Sequence, residues 1–172
     1  MRKEKPTEIK KNIHTISLLV ANKPGVLVRV ALVFARRAFN IDALVVSPTV
    51  DPKYSRMTIT ATGDAATLDQ IIKQTSKLID VLHAQEHKHD SAIELELALY
   101  KIKCKPANKT AIYKLIKRFQ AVVVDFTESS LIIQQTGTTE ELDEFENLIK
   151  KYEIIEMIRT GKIVMAPGKE PT

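Results

Sequence analysis

The stretch IHTISLLVANKPGVLVRVALVFARRA, residues 13–38, changes its hydrophobic period at the centre. Before position 21 apolar and polar residues alternate, which is typical of a half-buried strand. After position 25 apolar residues recur at helical spacing, and arginines occupy much of the opposite side. The alternating set is Ile16, Leu18 and Val20, and the helical set is Leu27, Val30, Ala31, Phe34, Ala35 and Ala38. We therefore predict a strand over 13–20, a loop over 21–25 and a helix.

Strand-like patterns of apolar residues return further along the chain. Residues 41–46 are apolar on both faces, which predicts a central or interfacial strand, and Met57, Ile59 and Ala61 alternate with threonines in the next one. Asp64 is a suitable N-cap for a second helix, and Val81 begins a fourth strand. The residues of this helix segment expected to face inward are Leu68, Ile71, Ile72, Thr75 and Leu78. The order of elements is βαββαβ.

The second half of the chain repeats this order. The predicted elements are a strand at 93–102, a helix near 109–119, strands at 121–126 and 131–136, a helix near 139–150 and a strand around 154–164. A short echo supports the duplication, because Thr62-Gly63 and Leu68-Asp69 recur at the same offset as Thr136-Gly137 and Leu142-Asp143. The fold class is therefore α+β, with two ferredoxin-like βαββαβ domains.

The boundary between the domains is predicted in the polar segment 84–91, which contains His87, His89 and Asp90. This gives domains at 12–86 and 91–166, with flexible tails at 1–11 and 167–172.

Composition favours a soluble cytoplasmic protein. A hydrophobic content of 44% is enough for two cores, and the net charge of +5 comes from lysines and arginines interleaved with 21 acidic residues. Cys104 is the only cysteine, so no internal disulfide forms and a reducing compartment is expected. No stretch approaches the roughly 20 apolar residues that a membrane span needs.

The loop 21–25 joins a strand to a helix, so it presents free backbone N–H groups at the positive end of the helix dipole. This geometry suits a carboxylate, and the side-chain oxygen of Asn22 could accept from an ammonium group. Gly25 has no Cβ and lets a ligand approach the backbone. On spacing alone, the simpler interpretation is a turn shaped by Pro24 and Gly25.

Four motifs lie in and after this loop: Asn22-x-x-Gly25-x-Leu27-x-Arg29-Val30, Phe39-Asn40-Ile41-Asp42, Val46-Ser47-Pro48-Thr49 and Asp51-Pro52-x-x-Ser55-Arg56-Met57-Thr58-Ile59. Together they resemble the ACT domain of acetohydroxyacid synthase (acetolactate synthase) regulatory subunits. The last motif is the most specific to that family, because other ACT domains share the first motif and the topology. The second half is similar mainly in layout, with Arg159-Thr160-Gly161 near its end.

The resemblance implies a non-catalytic chain whose ACT domains pair side by side in a homodimer. Valine or another branched-chain amino acid would bind in the seam between subunits. Asn22, Gly25, Val26 and Leu27 of one chain would contact it, with Asn40 and Ile41 from the other.

The resemblance also implies a catalytic partner subunit, which this chain would stimulate and subject to feedback inhibition. Thiamine diphosphate, Mg²⁺ and FAD are expected on that partner and no cofactor on this chain. The second domain, whose first loop Lys105-Pro106-Ala107-Asn108 lacks the effector motif, is expected to contribute much of the partner contact. Three positions depart from the family pattern and bear on effector preference: Val28, Ala38 and Ala43.

An enzyme is the first alternative. The chain contains no P-loop, G-x-S-x-G, H-E-x-x-H or C-x-x-C motif. His83, His87 and His89 have two interpretations: a metal site together with Cys104, or a polar linker. Glu94 and Glu96 share one strand face and are expected to face solvent or a partner. Arg56, expected to be exposed, is either a partner contact or a solvated strand residue.

RNA binding is the second alternative, because RRM domains have the same βαββαβ order. Their central strands carry aromatic residues that stack on bases, whereas residues 55–62 contain no aromatic residue and the chain has no tryptophan. A third alternative is an ACT regulator of another amino-acid enzyme, which only the motif around residues 55–59 argues against.

Overall fold

The computed structural model describes residues 13–87, 91–169 and 172. The predicted tail 1–11, His89 and positions 170–171 lie outside them. Within these residues the chain forms two compact units, and each contains one β-sheet and two α-helices. None of the helices in the described part of the chain is long and apolar enough to cross a membrane.

The first unit contains four strands and two helices in the order βαββαβ. They are β1 Ile13–Ala21, α1 Val26–Ala35, β2 Ala43–Pro48, β3 Tyr54–Thr62, α2 Ala65–Thr75 and β4 Val81–His87. The strands lie in the order β2-β3-β1-β4, so β1 and β3 occupy the centre. This is the ferredoxin-like arrangement that the sequence predicts.

The core of the first unit follows the predicted periodicity. Ile16 of β1 lies opposite Ile59 of β3, and Leu18 lies opposite Met57, and all four side chains are buried. Asp64 caps α2 as predicted, because its carboxylate accepts a hydrogen bond from the Thr67 backbone N–H at 2.8 Å. Of the inward-facing set, Leu68, Ile71 and Thr75 are buried, while Ile72 and Leu78 are partly buried.

Strand β2 begins two residues later than predicted. The backbone N–H of Asp42 donates to the Thr60 carbonyl at 2.9 Å, and its carboxylate accepts from Asn40 Nδ2 and Thr62 Oγ1. These bonds hold the chain in a turn before the strand. Because β2 is an edge strand, it is not the central strand that was one of the two predicted alternatives, and the other, an interfacial strand, stays a prediction. Leu44 is among its exposed apolar side chains.

The second unit repeats the plan with one additional strand. Its elements are β5 Ile93–Lys103, α3 Lys109–Arg118, β6 Val122–Phe126, β7 Ser130–Gly137, α4 Thr139–Ile149, β8 Ile154–Arg159 and β9 Ile163–Met165, with short 3-10 turns at Pro106–Asn108 and Lys150–Tyr152. The sheet order is β6-β7-β5-β8, and β9 pairs with the beginning of β5. The duplicated topology is confirmed.

The predicted strand over 154–164 is divided into β8 and β9. Ala98 of β5 pairs with Arg159, and Leu95 pairs with Ile163, so the partner of β5 carries one residue more between these pairs than β5 does. Thr160 precedes the irregularity, and both its backbone N–H and its hydroxyl form hydrogen bonds with Leu97. A bulge of this kind interrupts the ladder while both segments still follow β5.

Glu94 and Glu96 do not form an open sheet surface, so that prediction is wrong. Glu96 is buried and accepts from Arg159 Nε at 2.5 Å and from the Thr139 hydroxyl. Glu94 is partly buried and lies 2.6 Å from the Lys162 ammonium. Glu94 and Glu96 lie on the same face of β5 as Ala98 and Tyr100. Each carboxylate is neutralised by a cationic side chain more than sixty residues away in sequence.

The helices differ in how their N-termini are closed. Asp64 caps α2, and Thr138 and Glu141 form a reciprocal capping box at the start of α4. Neither α1 nor α3 has a side-chain hydrogen bond at its N-cap. The self-capped helices therefore occupy the same place in the two units. Helix α1 begins without such a cap, whereas α3 continues directly from the 3-10 turn before it, where the Lys109 N–H donates to the Pro106 carbonyl.

Candidate functional site

The N-terminus of α1 is an open set of backbone donors. Gly25 is the N-cap residue, and its carbonyl accepts from the Arg29 N–H at 3.1 Å, which begins the helix. The first N–H groups of a helix have no partner within the helix, and here neither a capping side chain nor an acidic residue in the first turn accepts from them. These donors and the positive end of the helix dipole face the loop, so the loop favours an anion.

Gly25 is required by its backbone conformation as well as by space. Its φ of +84° lies in the left-handed region, which a side chain with a Cβ disfavours. A Cβ at this position would also lie 3.2 Å from Arg29 Nη1. The prediction emphasised close ligand approach, whereas the geometry adds a conformational reason for glycine.

Asn22 joins the β1–α1 loop to the turn between β2 and β3. Its backbone N–H donates to the Lys53 carbonyl at 2.7 Å, and its side-chain Nδ2 donates to the Pro52 carbonyl at 2.9 Å. Asp51 organises that turn, because its carboxylate accepts from the Lys53 N–H. The Asn22 Oδ1 takes part in no hydrogen bond among the described residues, so it remains available as an acceptor.

Val26 and Leu27 present different groups to the loop. The Val26 side chain is buried in the core, so only its backbone N–H is available to a ligand. The Leu27 side chain is 43% exposed and can contact an apolar ligand group. Val28, one of the three departures from the family pattern, is also exposed, and its side chain adds apolar surface next to Leu27.

Asp80 anchors the loop, and sequence reasoning missed it. This buried residue lies directly before β4, and its carboxylate pairs with the Lys23 ammonium at 2.6 Å and with the Arg29 guanidinium. Its backbone carbonyl also accepts from the Ala21 N–H at 2.8 Å. The hydrogen bond from Lys23, together with Arg29, holds the pKa of the Asp80 carboxyl below its ordinary value. Asp80 therefore fixes both ends of the loop while leaving one positive charge in excess.

Asn40 and Ile41 lie beyond the opposite end of α1. A ten-residue helix is about 15 Å long, so one chain does not bring these two residues to the Gly25 loop. Asn40 Nδ2 donates to the Asp42 carboxylate at 2.9 Å, and Ile41 packs against the core. Within one chain the six predicted residues therefore form two separate groups.

The remaining candidate residues have ordinary structural surroundings. Arg56 is half-buried on β3 opposite Leu19, and desolvation lowers its pKa, so the prediction that it is exposed is wrong. His87 is buried and lies 2.6 Å from Ser17 Oγ, whereas His83 is exposed. The described residues contain no group of three or more potential metal-ligating side chains. Tyr54, half-buried at the start of β3, is the single aromatic residue on the two central strands of the first sheet.

Comparison with known proteins identifies both units. Residues 16–83 match the family described as an AHAS small subunit-like ACT domain, and residues 95–168 match the family described as the small subunit of acetolactate synthase. A probable acetolactate synthase small subunit of Archaeoglobus fulgidus is 42% identical over 91% of this chain and 98% of its own length. The acetolactate synthase small subunit of Haemophilus influenzae is 39% identical over 90% of this chain and 96% of its own length.

A solved structure supports the same assignment. The small subunit of acetolactate synthase from Thermotoga maritima superposes with a TM-score of 0.83 at 34% identity, covering 92% of this chain and 99% of that one. The two βαββαβ units, the motifs at the β1–α1 loop and these matches lead to one conclusion. This chain belongs to the family of acetolactate synthase small subunits, and its first unit is an ACT domain.

Proposed function

We propose that this chain senses valine, or another branched-chain amino acid, and transmits its concentration to a catalytic acetolactate synthase subunit. The open N-terminus of α1, with Gly25 in the left-handed conformation, is the observation that carries this proposal. The free N–H groups of the first turn would bind the effector carboxylate. Asn22 Oδ1 would accept from its ammonium group, and the exposed Leu27 would contact its aliphatic side chain.

The effector site would be completed by a second copy of the chain. Asn40 and Ile41 lie about 15 Å from the Gly25 loop along α1, so they can join the site only from another subunit. Strand β2 is an edge strand with exposed Leu44 and Val46, and such an edge can pair with its copy. A homodimer of ACT domains therefore fits the separation of the two residue groups.

Transmission to the partner would be a shift between two states of the dimer. Valine would bind one arrangement preferentially, and the coupling free energy would lie in the usual range of about 1 to 3 kcal/mol. The chemistry, with thiamine diphosphate, Mg²⁺ and FAD, would take place on the catalytic subunit. This chain would stimulate that subunit in the absence of effector and inhibit it in the presence of effector.

Isothermal titration calorimetry of the full chain tests the sensor. Valine, isoleucine and leucine are titrated separately, with aspartate as the unrelated amino acid. We expect saturable heat from at least one branched-chain amino acid and none from aspartate. Heat from aspartate alone, or from none of the four, would contradict the proposal for the isolated chain.

Reconstitution with the purified catalytic subunit tests the regulation. Acetolactate formation is measured with and without this chain and with and without valine. We expect stimulation by the chain and its reversal by valine. Unchanged activity on adding the chain would contradict the proposed partner, independently of the calorimetric result.

A further inference from the structure

The second unit contains a cavity at the place that corresponds to the proposed effector loop of the first. In the first unit the Asn22 N–H donates to the Lys53 carbonyl, and in the second the Cys104 N–H donates to the Ser129 carbonyl at 2.8 Å. In both units the donor is the residue directly after a central strand. The hydrogen bond joins that residue to the turn between the two strands of a hairpin. Cys104 therefore corresponds to Asn22.

This junction opens into a cavity of about 460 Å³, within the range of small-molecule sites. The cavity is bounded by the loop before α3, the first turns of α3 and the end of β6. Its lining includes Cys104, Lys109, Tyr113, Phe126, Glu128 and Leu131. All of them belong to the second unit.

The apolar wall contains the exposed aromatic side chains of this unit. Tyr113 is 40% exposed and Phe126 is 72% exposed, whereas the other described aromatic residues of the unit are buried or partly buried. Leu131 closes the interior end. Two aromatic rings left to solvent beside one cavity indicate a site for an apolar ligand group.

The polar wall offers one charge of each sign. Lys109 begins α3 and Glu128 lies in the turn between β6 and β7, and both line the cavity. Within the described residues neither side chain forms an ion pair. Two charges of opposite sign that are not paired with each other match a ligand that carries both an ammonium and a carboxylate.

We infer that this cavity is a second amino-acid site, one that binds a free α-amino acid with a branched or aromatic side chain. The carboxylate would lie against Lys109, the ammonium against Glu128, and the side chain between Tyr113 and Phe126. The correspondence with Asn22 is structural, but its interpretation as a sign of a ligand site rests on the proposed function of the first unit, whereas the cavity and its charges do not. The two sites can therefore be tested separately.

Cys104 supplies a readout confined to the second site. It is the only cysteine of the chain, it is buried, and it lines the cavity. A ligand in the cavity should block the thiol from a small alkylating reagent. The rate of carbamidomethylation by iodoacetamide is measured on the intact full chain by mass spectrometry, with leucine or phenylalanine added.

At a ligand concentration about ten times Kd, the fraction of empty cavity and hence the alkylation rate should fall about tenfold. Isovalerate, which lacks the ammonium group, and isoamylamine, which lacks the carboxylate, should give little protection. The exposed substitution Glu128→Gln should remove the protection by leucine. Gly25→Asp, which changes the effector loop of the first unit, should leave it intact.

The opposite results would overturn the inference. They are an unchanged rate with every amino acid, equal protection by isovalerate, or protection that Gly25→Asp abolishes and Glu128→Gln does not. Protection by the catalytic subunit alone would assign the cavity to a protein contact instead.

As a second measurement, Phe126→Trp introduces the only tryptophan of the chain, and its fluorescence should change saturably with leucine. No change would count against the site even if Glu128→Gln proved unfolded.

Discussion

The carboxylate of Asp80 lies 2.6 Å from the ammonium of Lys23, and it also accepts from Arg29. Asp80 thus reaches the β1–α1 loop from a position more than fifty residues further along the chain. Lys23 and Arg29 flank Gly25, so their common anchor determines how the first-turn N–H groups are presented.

Asp80→Asn should weaken effector binding while preserving the fold. The neutral amide loses both ion pairs, so the loop from Lys23 to Arg29 is no longer held at both ends. We expect at least a tenfold rise in the Kd for valine, equivalent to about 1.4 kcal/mol, in isothermal titration calorimetry. Asp69→Asn, which removes an exposed pair with Lys73, is the matched control and should leave Kd unchanged.

The stabilising effect of Asp80 should disappear in acid. Its pKa is lowered in the folded chain, so its contribution is present above the unfolded value of about 3.9 and is lost as pH falls through the folded pKa. Urea unfolding at pH 7, 5, 4 and 3 compares the native chain with Asp80→Asn. The difference in unfolding free energy should be constant at pH 7 and 5 and should shrink below about pH 4. A difference that grew in acid would contradict the assigned ion pairs.

Gly25→Asp should relieve valine inhibition and preserve stimulation of the catalytic subunit. It places a negative charge against the ligand carboxylate, and it adds a Cβ near Arg29. Because φ at this position is +84°, part of any effect comes from backbone strain. Gly25→Asn is therefore the matched control, since asparagine has a similar shape, tolerates this conformation and carries no charge.

The contrast between these two variants is measured in the reconstituted activity assay. We expect the asparagine variant to retain more valine inhibition than the aspartate variant. Equal and full inhibition of both would exclude the Gly25 loop as the effector site.

Ala38→Gly should stabilise the first unit. Ala38 has φ of +53° in the turn after α1, and the left-handed conformation costs a non-glycine residue about 1 to 2 kcal/mol. The greater freedom of glycine in the unfolded chain offsets part of this gain, so we expect a net gain of about 0.5 to 1 kcal/mol by urea unfolding. Ala31→Gly, in the middle of α1, should instead destabilise by about 0.5 to 1 kcal/mol.

Arg159→Gln should destabilise the second unit strongly. It leaves the buried carboxylate of Glu96 with only the Thr139 hydroxyl as a partner, and an uncompensated buried charge costs about 3 kcal/mol or more. Chemical unfolding should detect this loss. Lys101→Gln breaks an exposed pair with Glu156 and should cost at most about 0.5 kcal/mol. If both variants lost a similar unfolding free energy, burial of Glu96 would not increase the cost of breaking its ion pair.

The elements that short-range patterns determine were predicted well. Alternation placed Ile16 and Leu18 in the core, and the acidic residue at position 64 marked the start of α2. The echoes Thr62-Gly63 and Thr136-Gly137 lie at equivalent places, at the end of a strand and directly before a helix N-cap. These features depend on periodicities and caps that span fewer than ten residues.

The errors concern contacts between distant residues. Glu96 looked like a surface carboxylate because its partner, Arg159, lies 63 residues away. Asp80 was missed for the same reason, since Arg29 is 51 residues from it. The break before β9 depends on a register difference with β5, which no local pattern encodes.

The candidate site was predicted only through resemblance. The motifs include Asn22 and Gly25, but the left-handed φ of Gly25 and the hydrogen bond from Asn22 to the Pro52 carbonyl depend on the folded structure. The cavity beside Cys104 has no sequence motif. Its aromatic walls come from a helix and a hairpin that are adjacent only after folding.

The unequal closure of the helix N-termini has a consequence for local stability. Helices α2 and α4 carry their own acceptors, so the composition of the solution should have little effect on their first turns. Helix α1 leaves that role to solvent or solute. Amide exchange in its first turn should therefore slow as the proposed effector binds, so the exchange rate of this one short segment would report the effector concentration around the protein.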